Sequence, residues 1–326
     1  VTDAIRYIDA ISSTLRQELK RDDDVIVLGE DVSYGGPFGA TAGLSDMFGP
    51  TRIVDTPISE GAVMGLAVGA ALAGRRPVVE VMFADFITLA MDQLINHAAK
   101  LRYMTDGQLS VPLTIRVQGG VGGGYGAHHS QSLEAWFLHV PGLKVVAPCS
   151  VDDASGLLAA AIRDDDPVVY LEHRGLYWSK GSIMSHVDPA TIGLAAVVRP
   201  GADVTVVAVS RMVQVVMSAA EKLAADGVDV EVVDLRTVSP IDLETITESI
   251  RRTGRLVVAH EAVVTGGLGA ELVAAVHAAA FNSLTSPAIR VGAPFTPVPA
   301  SPHLERLYVP TVDDVIAAVL ETLPER

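Results

Sequence analysis

Few side chains in this chain of 326 residues are placed for chemistry, and Glu60 is the most informative of them. It stands at the mouth of an apolar, glycine-bearing run, Thr56-Pro57-Ile58-Ser59-Glu60-Gly61-Ala62-Val63-Met64-Gly65. Val63, Met64, Leu66, Ala67, Val68, Ala70, Ala71 and Leu72 follow too continuously for a surface helix. The run therefore predicts a buried helix whose first-turn carboxylate is buried or faces a cavity. A carboxyl group shielded from water holds its proton more tightly, which suits proton sharing near neutrality. The plainer reading is an acid favoured by the helix dipole, with Ser59 or Thr56 as cap.

Three other groups stand out. His128 and His129 follow the run Gly119-Gly120-Val121-Gly122-Gly123-Gly124-Tyr125-Gly126. An imidazole with an unperturbed pKa of about 6.5 suits proton transfer. A histidine pair also suits a metal, but no cysteine or carboxylate spacing accompanies it. The glycine spacing resembles a dinucleotide fingerprint, a weak signal that lacks its acidic ribose contact. A mobile active-site loop is the better expectation. Glu30 ends a strand-like run and reads first as a solvated acid. Asp164, Asp165 and Asp166 read first as a solvated turn between a helix and a strand.

These groups need a scaffold, and the alternation of short β-rich runs with helical ones supplies it. Residues 25–28, 77–82, 113–117, 144–147 and 168–171 read as strands. The run after Glu60, residues 87–104 and residues 152–163 read as helices. The pattern implies a parallel sheet with helices on both faces and right-handed crossovers. Residues 181–201 lack a strong period and hold Pro189, Pro200 and several glycines, which reads as a linker. A second alternation follows, with strands at 204–209, 228–233 and 256–259 and helices at 212–225, 241–253, 270–280 and 313–323. The expected organisation is α/β with two doubly wound domains, 1–180 and 202–326, joined by the linker 181–201.

Several segments in order carry a resemblance. They are Leu28-Gly29-Glu30-Asp31-Val32, then Asp55-Thr56-Pro57-Ile58-Ser59-Glu60, then Phe83-Ala84-Asp85-Phe86 running into Met91-Asp92-Gln93-Leu94-Ile95-Asn96. Next come Ala127-His128-His129-Ser130-Gln131-Ser132-Leu133-Glu134, Pro141-Gly142-Leu143-Lys144-Val145-Val146 and Val233-Asp234-Leu235-Arg236-Thr237-Val238-Ser239-Pro240. Together they resemble the beta subunit of the thiamine-diphosphate-dependent decarboxylase component of 2-oxo acid dehydrogenase complexes. Pyruvate, branched-chain 2-oxo acid and acetoin dehydrogenases form that family. The resemblance implies a transketolase-like pyrimidine-binding domain followed by a transketolase C-terminal-like domain.

It also implies roles. The carboxylate matching Glu60 hydrogen-bonds a pyrimidine ring nitrogen of thiamine diphosphate and favours its imino tautomer. Phe86 matches an aromatic that stacks on the aminopyrimidine, although core packing explains a phenylalanine there equally well. His129 matches a histidine facing the active-site channel, which orients the substrate carboxylate and assists acyl transfer to lipoamide. His128 is the spectator of the pair, and Ser130 and Gln131 fix the loop. Glu30 matches an acid near the cofactor, in an acidic passage joining two active sites. Leu113, Ala161, Ile162, Asp164 and Asp166 match positions whose backbone carbonyls hold a structural potassium ion. The family often has Asn where Asp166 stands; oxygen ligation suits a hard cation in either case.

One motif is missing. The family's cofactor diphosphate is held through Mg²⁺ by a Gly-Asp-Gly motif, and this sequence contains none. The chain then supplies only the pyrimidine half of a site, and an alpha subunit must supply the Mg²⁺ ligands. The resemblance implies two alpha and two beta chains, a lipoylated acyltransferase core as further partner, and a small 2-oxo acid or acetoin as substrate. Rival readings are a two-subunit thiamine-dependent lyase or acyltransferase without a lipoyl partner, a non-catalytic scaffold of the same fold, and a dinucleotide-dependent dehydrogenase.

Bulk composition agrees with a globular two-domain chain: 49% hydrophobic and 19% charged residues. A net charge of −15 argues against nucleic acid and anionic membrane surfaces as partners, and suits a basic docking segment on a partner. Cys149 is the only cysteine, so no intrachain disulfide forms. No apolar run approaches a membrane span, and no signal pattern opens the sequence. A reducing, cytoplasmic setting is expected, with a mature organelle matrix protein as the alternative.

Overall fold

Six runs rich in valine and isoleucine pair into the sheet of a first unit. They are β1 (Val25–Gly29), β2 (Ile53–Asp55), β3 (Arg76–Val81), β4 (Thr114–Gly119), β5 (Lys144–Val146) and β6 (Val168–His173). Their order across the sheet is β5-β6-β4-β3-β1-β2, all parallel. The computed structural model describes residues 4–183 and 189–324. The chain divides into two compact units, Val1–Gly119 with Trp136–Ile192, and Gly120–Ala135 with Gly193–Arg326.

The central strands β3 and β4 are buried along nearly their whole length, as expected for a parallel sheet covered on both faces. Helices α1 (Tyr7–Arg21) and α3 (Val151–Arg163) pack together, joined by Ile11, Leu15, Leu157, Leu158 and Ile162. A buried hydrogen bond between the Thr14 and Ser155 hydroxyls (2.8 Å) crosses between them. Helix α2 (Glu60–Leu72) packs on β3.

Two local expectations change. Helix α2 is not buried all round: Val63, Met64, Ala67, Val68 and Ala71 face inward, whereas Leu66 and Leu72 are exposed. Its outer face is apolar but has no cover within the described residues. Ser59 holds the N-cap position without a side-chain cap bond. Residues 87–104 do not form one helix. A 3₁₀ segment (Ala84–Ala90) leads into a π-helical segment (Asp92–Ala98) and a short α-helix (Leu101–Met104). The apolar spacing was real, since Ile87, Ala90, Leu94 and Ala98 are buried. What periodicity could not report is the widened turn, closed by the Ala99 N–H donating to the Leu94 carbonyl (3.0 Å).

The second unit holds a five-stranded sheet. Its strands are β7 (Ala196–Arg199), β8 (Val204–Ala208), β9 (Val230–Asp234), β10 (Leu256–Val263) and β11 (Ile289–Ala293), in the order β11-β10-β8-β9-β7. Only β7 runs antiparallel to its neighbour. It lies within the stretch 181–201 read as linker; residues 184–188 of that stretch lie outside the described residues. Helices α4 (Met212–Ala225), α5 (Leu243–Thr253), α6 (Leu268–Ala280), α7 (Pro302–Tyr308) and α8 (Val312–Thr322) complete the unit. The glycine-rich segment 120–135 belongs to this unit by its contacts, although it follows β4 directly. Among the described residues, no helix is long and apolar enough to cross a membrane.

Candidate active site

Parallel strands end on one edge, so their carboxyl-terminal turns meet there. Because β1 lies between β3 and β2, three of those turns converge on one shallow recess that is open to solvent. Gly29 and Glu30 come from the end of β1, Thr56 to Glu60 and Val63 from the β2–α2 connection, and Glu80, Val81 and Met82 from β3. The sequence candidates Glu30 and Glu60 are thus brought together. Burial, then Asp31, then Glu60 push the Glu30 carboxyl above the ordinary glutamate range. The Thr56 hydroxyl oxygen is buried in the same wall with no hydrogen-bond partner. A recess with apolar walls, three acids and an unanswered hydroxyl offers groups that suit the edge of a flat heterocycle bearing ring nitrogens. Its charged lining is entirely acidic, which does not suit a diphosphate.

Phe86 lies four residues beyond Met82, in the 3₁₀ segment that follows β3. Its ring is half-buried and meets Phe83 edge-on, with centroids 5.5 Å apart at 70°. Phe83 in turn meets Phe38 (6.4 Å) and carries the Arg174 guanidinium over its face (5.8 Å).

Behind the recess lies a charged group that the sequence reading missed. Arg116 on β4 faces Glu80 on β3 (Nη1–Oε2 2.5 Å) and Glu172 on β6 (Nη2–Oε2 3.1 Å), and the Tyr177 hydroxyl also donates to Glu172 (2.8 Å). All four side chains are buried. Burial disfavours the guanidinium charge, but Glu172 and then Glu80 outweigh it and keep Arg116 a firm cation. Burial raises the Glu80 carboxyl, which Arg116 opposes and Glu172 reinforces. Burial, with Glu172, also raises the Tyr177 phenol. Register explains the meeting, since Glu80 and Arg116 are direct partners across β3 and β4. The available signal was an ion inside each of two β-branched runs, Glu80 in β3 and Arg116 in β4, where a core strand should carry none.

Gly36 makes this arrangement tight. Its φ is +65°, and a Cβ there would stand 2.1 Å from Glu80 Oε1. Only glycine lets the 31–43 loop lie against that carboxylate.

His129 lies in the second unit, half-buried, while His128 is exposed. The glycine run before it is not free. The Val121 N–H donates to Glu261, and the Gly122 and Gly124 N–H groups donate to Glu305 (3.1 and 3.2 Å). Amides spent on carboxylates do not cradle phosphate, so the dinucleotide reading loses its donors. Glu134, five residues past His129, is buried, and its carboxyl is pushed up to about 7 by burial, with Glu261 adding to the shift.

The five positions matched to a potassium site fall around one turn. Leu113 precedes β4, Ala161 and Ile162 close α3, and Asp164 and Asp166 lead into β6. The Leu113 carbonyl accepts the Val168 N–H (2.9 Å) and the Ala161 carbonyl the Asp164 N–H (3.3 Å). The Ile162 and Asp164 carbonyls each accept Arg76 (3.0 Å). Each carbonyl keeps a second lone pair, the group a hard cation would use, but the Arg76 guanidinium already stands at two of them. Lys144 approaches Asp164 (2.7 Å) and Asp166 (3.3 Å), Arg76 pairs with Asp165 (3.0 Å) and Arg102 with Asp166. The extra negative charge of Asp166 is thereby offset.

Comparison with known proteins agrees with this architecture. Residues 3–179 match the transketolase pyrimidine binding domain, and residues 193–315 match the transketolase C-terminal domain. The chain is 44% identical to the pyruvate dehydrogenase E1 component subunit beta of Rickettsia bellii, covering 95% of this chain and 96% of that one. It is 44% identical to the mitochondrial subunit beta-2 of rice, covering 95% and 84%. It is 43% identical to the acetoin:2,6-dichlorophenolindophenol oxidoreductase subunit beta of Cupriavidus necator, covering 96% of each. A solved split-gene transketolase, described as an inactive beta4 tetramer, superposes with a TM-score of 0.80 at 26% identity over 98% of each chain. With this fold, the recess at the strand ends and relatives matched over almost its whole length, the chain belongs to the thiamine-dependent family formed by the beta subunits of 2-oxo acid and acetoin dehydrogenase E1 components.

Proposed function

We propose that this chain supplies the pyrimidine-binding half of a decarboxylase active site that an alpha subunit completes, in an assembly of two alpha and two beta chains. The observation that carries the reading is the recess where Glu30, Glu60 and the unpartnered Thr56 hydroxyl converge. When bound, thiamine diphosphate supplies a nucleophilic carbon and an electron sink for cleaving a small 2-oxo acid or acetoin. Glu60 holds a proton against the pyrimidine ring nitrogen and passes it as the reaction requires. Glu30, its proton affinity raised by burial and by its acidic neighbours, exchanges protons with the recess. Phe86 presents a ring face to the heterocycle, and the recess, open to solvent in this chain, excludes water once the alpha subunit covers it. His129 orients the substrate carboxylate and assists transfer of the acyl group to a lipoamide arm on an acyltransferase core.

An entirely acidic lining repels a diphosphate, and the sequence has no Gly-Asp-Gly, so the Mg²⁺ and diphosphate contacts belong to the alpha chain. The description of the split-gene transketolase beta assembly as inactive fits the same division of labour. A potassium ion at the carbonyls of Leu113, Ala161, Ile162, Asp164 and Asp166 would tie the end of α3 to β4 and β6. The test is calorimetric titration of thiamine diphosphate with Mg²⁺ into the lone chain and into the reconstituted pair. Tight binding by the pair and weak binding by the lone chain is expected. Equally tight binding by the lone chain would end the shared-site reading.

A further inference from the structure

The second unit shows how the histidine-bearing segment is held. Gly122, Gly123, Gly124 and Gly126 have φ values of +143°, +91°, +73° and +73°, a conformation that residues with a side chain rarely adopt. Successive amides in such a segment turn toward a common concavity, which suits a negative charge. Here the charge comes from the chain itself. Glu305 on α7 is 7% exposed and accepts the Gly122 N–H at Oε1 (3.1 Å) and the Gly124 N–H at both carboxylate oxygens (3.2 Å each). Glu261 on β10 is 5% exposed; it accepts the Val121 N–H and pairs with Arg211 (3.1 Å). Apolar contacts close the base, where Val121 packs with Ala293, Val298 and Tyr308. A Cβ on Gly124 would stand 3.0 Å from the Ala300 carbonyl oxygen, so the segment lies tight against the chain entering α7.

An apolar side chain would fill the place of Glu305 without the cost of burying a carboxylate. What an apolar residue cannot do is answer two backbone amides, and amide-to-carboxylate bonds are the stronger kind. The anchored segment runs on without a break: the His129 N–H turns back to the Gly126 carbonyl (3.4 Å), two residues past the last Glu305 bond. We infer that Glu305, supported by Glu261, is a positioning residue that sets the glycine segment and through it the place of His129. This inference rests on the proposed role of His129.

The experiment pairs hydrogen exchange with kinetics, using the full chain reconstituted with its alpha partner. Glu305→Ala is compared with Glu305→Gln, which keeps an acceptor oxygen, and with Glu305→Leu, which keeps volume only. Amide exchange across 120–129 should rise about tenfold or more in the Ala and Leu variants and much less in Gln, with peptides of the first unit unchanged. Lipoamide-dependent kcat should fall in the same order. Glu305→Ala added to His129→Ala should cost little beyond His129→Ala alone, since the two act through one group. If His129→Ala loses turnover but Glu305→Ala leaves exchange unchanged, or the two losses multiply, the inference is overturned and the role of His129 survives. If His129→Ala keeps full turnover, that role is lost, and exchange alone then upholds or removes the anchor. A variant too unstable to reconstitute is replaced by the Gln form, for which exchange equal to that of Leu would also overturn the inference.

Discussion

Glu30 and Glu60 line one recess, and the charge on Glu60 is one reason that Glu30 holds its proton above the ordinary glutamate range, after burial and Asp31. A neighbouring negative charge makes ionisation of an acid harder. Glu60→Gln should therefore lower the apparent pKa of Glu30, readable from its carboxyl carbon resonance across a pH series. The same substitution should reduce kcat of the reconstituted pair by about 10²- to 10⁴-fold, the range of a lost proton-transfer group. Wild-type turnover in Glu60→Gln would remove Glu60 from the chemistry.

Arg116 separates Glu80 from Glu172 in a buried setting. Taking away one cation leaves two acids without their counter-charge, which costs about 3–5 kcal/mol in comparable cases. Arg116→Met should lower the melting temperature by about 10 °C. Adding Glu80→Gln should recover part of that loss. A melting temperature for Arg116→Met within a degree or so of wild type would show that the group is solvated in solution.

Glu134 links stability to pH. Its folded carboxyl titrates near 7 against 4.5 for the free side chain, so the folded state binds the extra proton between those values. Stability from this group is therefore complete below about pH 4.5, falls as pH rises to about 7, and is level above. The ceiling of the loss is about 3 kcal/mol. Urea unfolding at about pH 5 and about pH 7.5 should show the decline, and Glu134→Gln should flatten it. An unchanged slope in the variant would assign the effect to other groups.

The turn at Asp164 to Asp166 gives a salt-specific expectation. If its carbonyls hold potassium, the melting temperature in potassium chloride should exceed that in choline chloride at equal ionic strength by about 2–5 °C. Equal values would leave the turn to Arg76, Lys144 and Arg102.

The alternation of strands and helices was legible because β-branched runs and helical apolar spacing are local signals, whereas the three-residue β2 (Ile53–Asp55) is too short to carry such a signal and was not read as a strand. Glu60 was legible from its place at the mouth of an apolar helix, and Glu30 from the Gly29-Glu30-Asp31 segment that carries the family resemblance. The Arg116 group escaped because it needs the register of β3, β4 and β6, which no local pattern carries. Glu305 escaped for the same reason, lying 181 residues beyond Gly124. The break in residues 87–104 was hidden because the buried spacings, three from Ile87 to Ala90 in the 3₁₀ segment and four from Leu94 to Ala98 in the π segment, also occur in an α-helix. The bare face of α2 was hidden because an apolar surface reads the same whether this chain or another covers it.

That bare face carries a burden for the cell. Leu66 and Leu72 are exposed on α2, Ile58 is exposed just before it, and Leu89 is exposed in the 3₁₀ segment. If the alpha chain of the proposed assembly covers that face, copies made in excess of it would expose oil to water and clump, synthesis of the two polypeptides would have to run in step, and any surplus would fall to chaperones and proteases.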